Sequence, residues 1–395
     1  MATKTVRTRA KPMLATDVVV VGAGYAGCYA IAGLRRARVD VVAVDPTGTM
    51  DMLPRLAAVA GHADAATDAA IELTKLFPHL KIVRGKMKRF RKGVVTTEAG
   101  HRVRGRVTII TAGAQPTEPT IAGLANAFQL RTAADALRLR AAVGEAEDVV
   151  IVGGGATGVQ LAGALSNSGV ANAILVDSAS RLLPEFHESL GSHAKDLLSA
   201  RGVRIELDAA VESIQPNGVV LEDGTELIGL PVWAGGFRAT MDAFKVGPTT
   251  EGRLNIGDDL RVEGTKDVLA AGDAAAHLDS KGNLRPMAAQ TAVQAGSGAA
   301  KNAVRMLRGQ PTASVAMRDL GWVVDLTGGR GVAQVGPFRF ATSGLDRIPP
   351  YLHDFIDAKT LYEVGGVKAV KRYSPGRQTT PPEGLDLEFL QHYLG

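Results

Sequence analysis

Cys28 is the only cysteine in the chain, so no disulfide can close within it and no redox-active cysteine pair can form. A reducing compartment fits this. Cys28 falls in the first turns of a predicted helix, where a small buried hydrophobe is the expected role. Aromatic residues are scarce at 5%. In the most basic stretch Phe90 stands alone, whereas platforms that stack nucleic-acid bases need several rings, so no nucleic-acid partner is expected. The eight histidines show no ligand spacing with acids or the cysteine, and no metal site is expected. A long apolar run is also missing. Val18 to Leu34 comes nearest, but three glycines at fixed spacing argue against a membrane span or a signal segment. Any membrane contact is therefore expected to be peripheral, for a protein that is cytoplasmic or lies on the inner face of the membrane.

Acids are missing where bases concentrate. Residues 1 to 16 carry Lys4, Arg7, Arg9 and Lys11 with no acid and read as a loose basic tail. Lys81 to Arg106 holds ten Lys or Arg residues against Glu98 alone. These segments carry +4 and +9, which against a net charge of +5 leaves about −8 on the rest. Val94, Val95, Val103 and Val107 intersperse with the charge as in half-buried strands with a solvated face. The other reading of the stretch is a contact for anionic lipid or an acidic protein. Apolar residues make up 46%, as in an ordinary globular protein, and 395 residues predict two or three domains.

What is present is a repeated phosphate-binding unit. Asp17 to Val21 reads as a buried parallel strand running into Gly22-Ala23-Gly24-Tyr25-Ala26-Gly27 and an Ala-rich helix to about Arg36. Gly22 suits the tight turn, Gly24 lets backbone N–H groups approach a pyrophosphate, and Gly27 allows close helix-to-strand packing. A second strand, Val41 to Val44, ends at Asp45, placed to accept hydrogen bonds from ribose hydroxyls. The unit recurs: Asp148 to Val152 leads into Gly153-Gly154-Gly155-Ala156-Thr157-Gly158, a helix follows to about Ser166, and Ala173 to Val176 ends at Asp177. Two dinucleotides are expected. Asp177 would bond a free 2′-hydroxyl and repel a 2′-phosphate, favouring NADH over NADPH, while Arg181 lies close enough in sequence to blur that preference.

These residues resemble the pyridine-nucleotide flavoprotein reductases, over about residues 17 to 320. Ile109 to Pro116, with Ala112 and Gly113, looks like the segment after which the chain crosses from the FAD domain into the NAD domain. Trp233-Ala234-Gly235-Gly236 is similar to the return. Leu269 to Ala274 looks like the second FAD motif, with Gly272 and with Asp273 against the ribityl chain. The resemblance implies an α/β fold of two Rossmann-like FAD/NAD(P)-binding domains, glutathione-reductase-like. The FAD domain is discontinuous (17–118 and 241–320), the NAD(P)H domain spans 119–240, and a small C-terminal α+β region covers 321–395.

The missing cysteine pair sets the chain apart from the disulfide reductases of that superfamily. Ala289-Gln290-Thr291-Ala292-Val293-Gln294 resembles the quinone-site motif of type II NADH dehydrogenases, and Arg181 to Phe186 and Met52-Leu53-Pro54 are also similar to that family. Gln290 and Gln294 share a helix face and are expected to reach one ligand; Ala289 and Pro54 are expected near the flavin. In any member of the superfamily residues 289 to 300 also serve as a close-packing helix. Two departures stand out. A family Glu is Gln160 here, which can hydrogen-bond but not titrate, and a second is Ala164. The C-terminal region, interrupted by Gly328-Gly329-Arg330-Gly331, Pro349-Pro350 and Pro381-Pro382, departs too. It offers one amphipathic helix, Tyr351 to Tyr362, with Leu352, Phe355, Ile356 and Leu361 on one face. Its acids, Asp354, Asp357 and Glu363, do not suit an anionic lipid surface, and a packing helix at a domain or homodimer interface is expected.

The resulting expectation is an FAD-dependent oxidoreductase that takes hydride from NADH and passes electrons to a quinone-type acceptor past Gln160, Gln290 and Gln294. Gln160 and the C-terminus favour a soluble reductase of an electron-transfer protein or a biosynthetic substrate. A flavoprotein with mainly a binding or signalling role, like apoptosis-inducing factor, is the third alternative.

Overall fold

In the computed structural model, residues 12–118 and 121–373 are described. Lys4, Arg7, Arg9, Lys11 and the Pro381-Pro382 pair lie outside them. The chain divides into two compact units, one formed by residues 1–50, 72–114 and 238–318, the other by 51–71, 115–237 and 319–395.

The first unit is built on a seven-stranded sheet. Its order is Lys81–Arg84, Val41–Asp45, Met13–Val21, Arg102–Ile110, Val94–Thr97, Met87–Arg91, with Val268–Ala270 also paired to Arg102–Ile110. The central strands are parallel, with Val18 opposite Val41 and Val107. Covered on both faces, they read as continuous β-branched runs, and Val18 to Val21 are buried. The strand begins at Met13, four residues earlier than Asp17, because Met13 to Thr16 pair with Arg102 to Gly105. The basic stretch divides: Lys81–Arg84 is the parallel edge strand, and from Met87 onward the chain forms the antiparallel side of the sheet, where Val94, Val95 and Val103 are buried while the cations beside them are exposed. The helices Tyr25–Arg36 and Ala289–Leu307 pack together through small residues. A Cβ at Gly296 would run into the Ala26 carbonyl, and one at Gly33 would sit 2.7 Å from the Ala300 Cβ.

The second unit carries a five-stranded parallel sheet in the order Phe128–Gln129, Leu230–Trp233, Asp148–Val152, Asn172–Val176, Arg204–Glu206. The helices Ala133–Val143, Ala156–Ser168 and Glu188–Ser199 contribute to one buried cluster with its strands. An antiparallel meander, Val211–Gln215, Gly218–Leu221 and Glu226–Ile228, packs on the sheet through Ile214, Val219 and Leu227. The C-terminal segment adds the antiparallel strands Trp322–Asp325, Gly331–Val335 and Phe338–Phe340. Val324, Leu326 and Val332 enter the same buried cluster as Leu161 and Leu165.

The last helix corrects two expectations. It spans Ile348–Tyr373, with a break at Gly366 (φ 71°, ψ −169°). Pro349 and Pro350 start it rather than interrupt it, as proline's fixed φ suits a first helical turn. Asp357 is not a surface acid: it is buried and receives the Arg55 Nε at 2.5 Å.

Candidate functional site

Each glycine turn is locked by the strand that follows it. In the first unit, Gly22 has φ 94°, and a Cβ there would clash with the Thr111 backbone. Thr111 closes the turn by donating its hydroxyl to the Val21 carbonyl (3.0 Å) and the Gly22 carbonyl (2.7 Å). A Cβ on Gly27 would collide with the Gly22 carbonyl, so the helix can approach the turn only without one. Gly24 caps the helix, and its Cβ position meets nothing within 4 Å. That space, facing the N-terminal amides at Tyr25 and Ala26, is where a pyrophosphate fits.

Asp45 does more than wait for a ribose. Its Oδ2 accepts the Ala23 N–H at 2.9 Å, and its Oδ1 accepts from the Thr47 N–H (2.9 Å), the Thr47 hydroxyl (3.0 Å) and the Gly48 N–H (2.7 Å). With Oδ1 saturated, a hydroxyl ligand would bond at Oδ2. The nearby Cys28 thiol is fully buried, donates to the Ala23 carbonyl at 3.1 Å, and is pushed well above its ordinary pKa by burial and then by Asp45.

The second unit repeats this construction. Gly153 has φ 121°, and a Cβ there would lie 2.7 Å from the Ala234 carbonyl. Gly155 caps the helix with open space at its Cβ, whereas a Cβ on Gly158 would strike the Gly153 carbonyl. Ala156 and Thr157 form the first helical turn. Asp177 Oδ2 accepts the Gly154 N–H, the counterpart of Ala23, and its Oδ1 accepts the Ala179 N–H at 2.7 Å. Gly235 packs against the Trp233 ring. The Trp233 indole Nε1 is buried without a hydrogen-bond partner among the described residues.

Arg181 is committed elsewhere. Its guanidinium donates to the carbonyls of Leu183 (3.2 Å), Pro184 (2.6 Å) and Phe186 (3.0 Å).

Three further segments meet the first turn within the first unit. Ala112 and Gly113 follow Thr111 behind Gly22, and Gly272, at φ 68°, places its Cβ position 2.9 Å from Ala26 and 3.5 Å from Ala292. Asp273 and the helix start at Ala289 and Gln290 are thereby gathered at one end of the sheet, half-buried. His277 sits just beyond, buried, its pKa lowered from 6.5 to about 4 by burial and then by Arg253 and Arg285.

A model of the pyridine nucleotide-disulphide oxidoreductase family matches residues 16–296. The chain belongs to that family. Within it, the type II NADH:quinone oxidoreductase of Haemophilus influenzae is 32% identical over 198 residues, 46% of this chain and 45% of its own. The Staphylococcus aureus protein of that name is 29% identical over 240 residues, 55% and 58% of the two chains. The chain thus spans about half the length of these curated relatives. Among solved structures, NDH2 from Plasmodium falciparum in complex with NADH has a TM-score of 0.75 at 13% identity, over 91% of this chain and 99% of that one. The ferredoxin reductase for the CYP199A2 system of Rhodopseudomonas palustris has a TM-score of 0.72 at 20% identity, over 81% and 82%. These likenesses establish the α/β fold of the family, with its Rossmann-like domains.

The family's disulphide chemistry has no counterpart here, since Cys28 is alone. The glutamine pair divides. Gln294 donates its amide to the Gln290 carbonyl (3.0 Å) and the Arg318 carbonyl (2.9 Å), and its Oε1 accepts the Arg318 N–H (2.9 Å). It fastens the 318 segment rather than pointing both groups at one ligand. Gln160 is half-buried in the second unit's glycine-turn helix. Ala164, one turn on, is fully buried, and a Cβ on Gly61 would lie 2.6 Å from its own, leaving no room for a longer side chain. Pro54 belongs to the second unit by its contacts. Thr111 went unremarked as a site residue in the sequence, because its role comes from Val21 and Gly22, about ninety positions away.

Proposed function

We propose that the chain is an FAD-dependent NADH oxidoreductase that passes electrons from the flavin to a quinone-type acceptor. The observation that carries the reading is the duplicated turn, one in each unit, each fixed by a strand-end aspartate and each open at its capping glycine. Bound FAD would supply the two-electron chemistry, accepting hydride from the nicotinamide and yielding electrons to the acceptor. The chain's own residues bind and orient. Gly22, Gly24, Tyr25, Ala26 and Gly27 would cradle the FAD pyrophosphate, with Asp45, Ala112, Gly113, Gly272, Asp273 and Ala289 around it in the same unit. Gly153, Gly155, Ala156, Thr157 and Gly158 would cradle that of NADH, with Asp177 and Gly235 beside it.

NADH is favoured over NADPH because Asp177 presents a carboxylate where a 2′-phosphate would lie, while Arg181 spends its donors on backbone carbonyls. Gln290 is the acceptor-side residue of this reading, with Gln160 in a hydrogen-bonding role. A quinone from the lipid phase would be met at a membrane surface by peripheral contact; no helix among the described residues is long and apolar enough to cross a membrane. Gln160, which cannot relay a proton, favours a second reading in which a one-electron carrier protein replaces the quinone.

The test is steady-state oxidation of NADH and of NADPH by the purified flavoprotein, with a quinone panel and a ferredoxin-type acceptor in parallel. NADH-dependent quinone reduction, faster than with NADPH, is expected. Reduction of the carrier protein alone would replace the first reading by the second, and a protein that binds no flavin would end both.

A further inference from the structure

A cleft of about 940 Å³ lies in the first unit between the C-terminal ends of the two packed helices, away from the glycine turn at their other end. Arg36 comes from the first helix; Lys301, Arg305 and Arg308 come from the end of the second. No Asp or Glu lines the cleft, and Lys301, Arg305 and Arg308 have no carboxylate partner among the described residues. Its walls include Tyr29 and Val304.

One cation near a helix C-terminus complements the macrodipole. Three at i, i+4 and i+7 on one face exceed that need. Like charges at such spacing destabilise a helix, and an anion seated among them would relieve the repulsion. The volume falls within the range of small-molecule sites, roughly 300–1,000 Å³, and the mixture of cations with an aromatic and an aliphatic wall suits an anion with an organic body.

We propose that this cleft binds an organic anion carrying two or more phosphate charges. Lys301 and Arg305 contribute charge along one edge, Arg308 and Arg36 close the other, and Tyr29 and Val304 contact the organic portion. The chemistry is shared by a free nucleoside diphosphate and by a phosphorylated lipid headgroup.

The test uses the FAD-loaded protein with saturating NAD+, so that both glycine turns are filled. Pyrophosphate and ADP are titrated at low salt while the thermal midpoint is followed, and sedimentation is measured with phosphatidylcholine vesicles with and without phosphatidic acid. A rise in midpoint by several degrees, weakened at least about tenfold in required concentration by Lys301→Glu with Arg305→Glu, supports a free ligand. Binding only to the acidic vesicles, abolished by the same pair, supports the lipid source. Should the charge-reversed protein fail to fold, Lys301→Gln with Arg305→Gln replaces it, and hydrogen exchange on the wild type must show pyrophosphate or acidic vesicles protecting residues 297–311. Neither probe binding, or binding equally strong in the variants, would overturn the proposal.

Discussion

A Cβ added at Gly158 meets backbone, the Gly153 carbonyl, so relief requires the whole turn to shift. Gly158→Ala is expected to weaken NADH binding by at least about tenfold, roughly 1.4 kcal/mol, while the flavin content of the purified protein stays the same; NADH titration against the flavin absorbance reads both. Ala164 poses a different problem. Placing the family's carboxylate there with Ala164→Glu would bury a charge against Gly61, and a loss of several kcal/mol is expected, visible as a large drop in thermal midpoint. Gln160→Glu, at a half-buried site, is expected to fold normally, and its quinone turnover shows whether titration at that position matters. His277 links structure to pH. Burial, then Arg253 and Arg285, hold its pKa near 4, against an ordinary value of 6.5. Between those values the unfolded chain binds a proton that the native one does not, so stability is present above about pH 6.5 and falls as the solution is acidified. His277 alone should remove about 2 kcal/mol between pH 7 and pH 5. Denaturation curves at the two values should show that loss in the wild type and a smaller one in His277→Gln.

At the scale of elements, the final helix is tied to residues 53–55 by the buried Arg55–Asp357 pair, with Arg55 Nη1 also donating to the Tyr373 carbonyl at 3.0 Å. Removing one partner of such a pair typically costs about 3–5 kcal/mol, whereas replacing both with apolar residues is often neutral. Asp357→Asn is therefore expected to lower the thermal midpoint sharply and Arg55→Met with Asp357→Leu much less; equal losses would refute the coupling. This element also marks the limit of what the sequence made legible. The apolar face at Leu352 and Leu361 was readable from spacing, but the burial of Asp357 was not, since its partner lies 302 positions away. Likewise, Gln290 and Gln294 share a helix face by periodicity, yet the segment at Arg318 decides where the Gln294 amide points. The glycine turns were legible because strand, turn, helix and closing acid all fall within about thirty consecutive residues. Asp45 and Asp177 were placed correctly at strand ends; their bonds to Ala23 and Gly154 needed coordinates.

At the scale of the whole molecule, the same local construction appears in two units whose remaining parts differ. The first adds an antiparallel side rich in cations, and the second an antiparallel meander and the C-terminal strands and helix. Under the proposed function, occupancy of one turn can be followed separately from the other, flavin by its spectrum and nicotinamide by a gain in stability of about 2.7 kcal/mol at a hundredfold excess over the dissociation constant. The sealed thiol has a practical corollary. Because Cys28 has no solvent exposure and a raised pKa, the native surface presents no competing nucleophilic sulfur among the described residues. A cysteine introduced on an exposed site of either unit would be the sole point of attachment for a maleimide dye or spin label, and a pair of them would form a ruler spanning the two units without any background substitution.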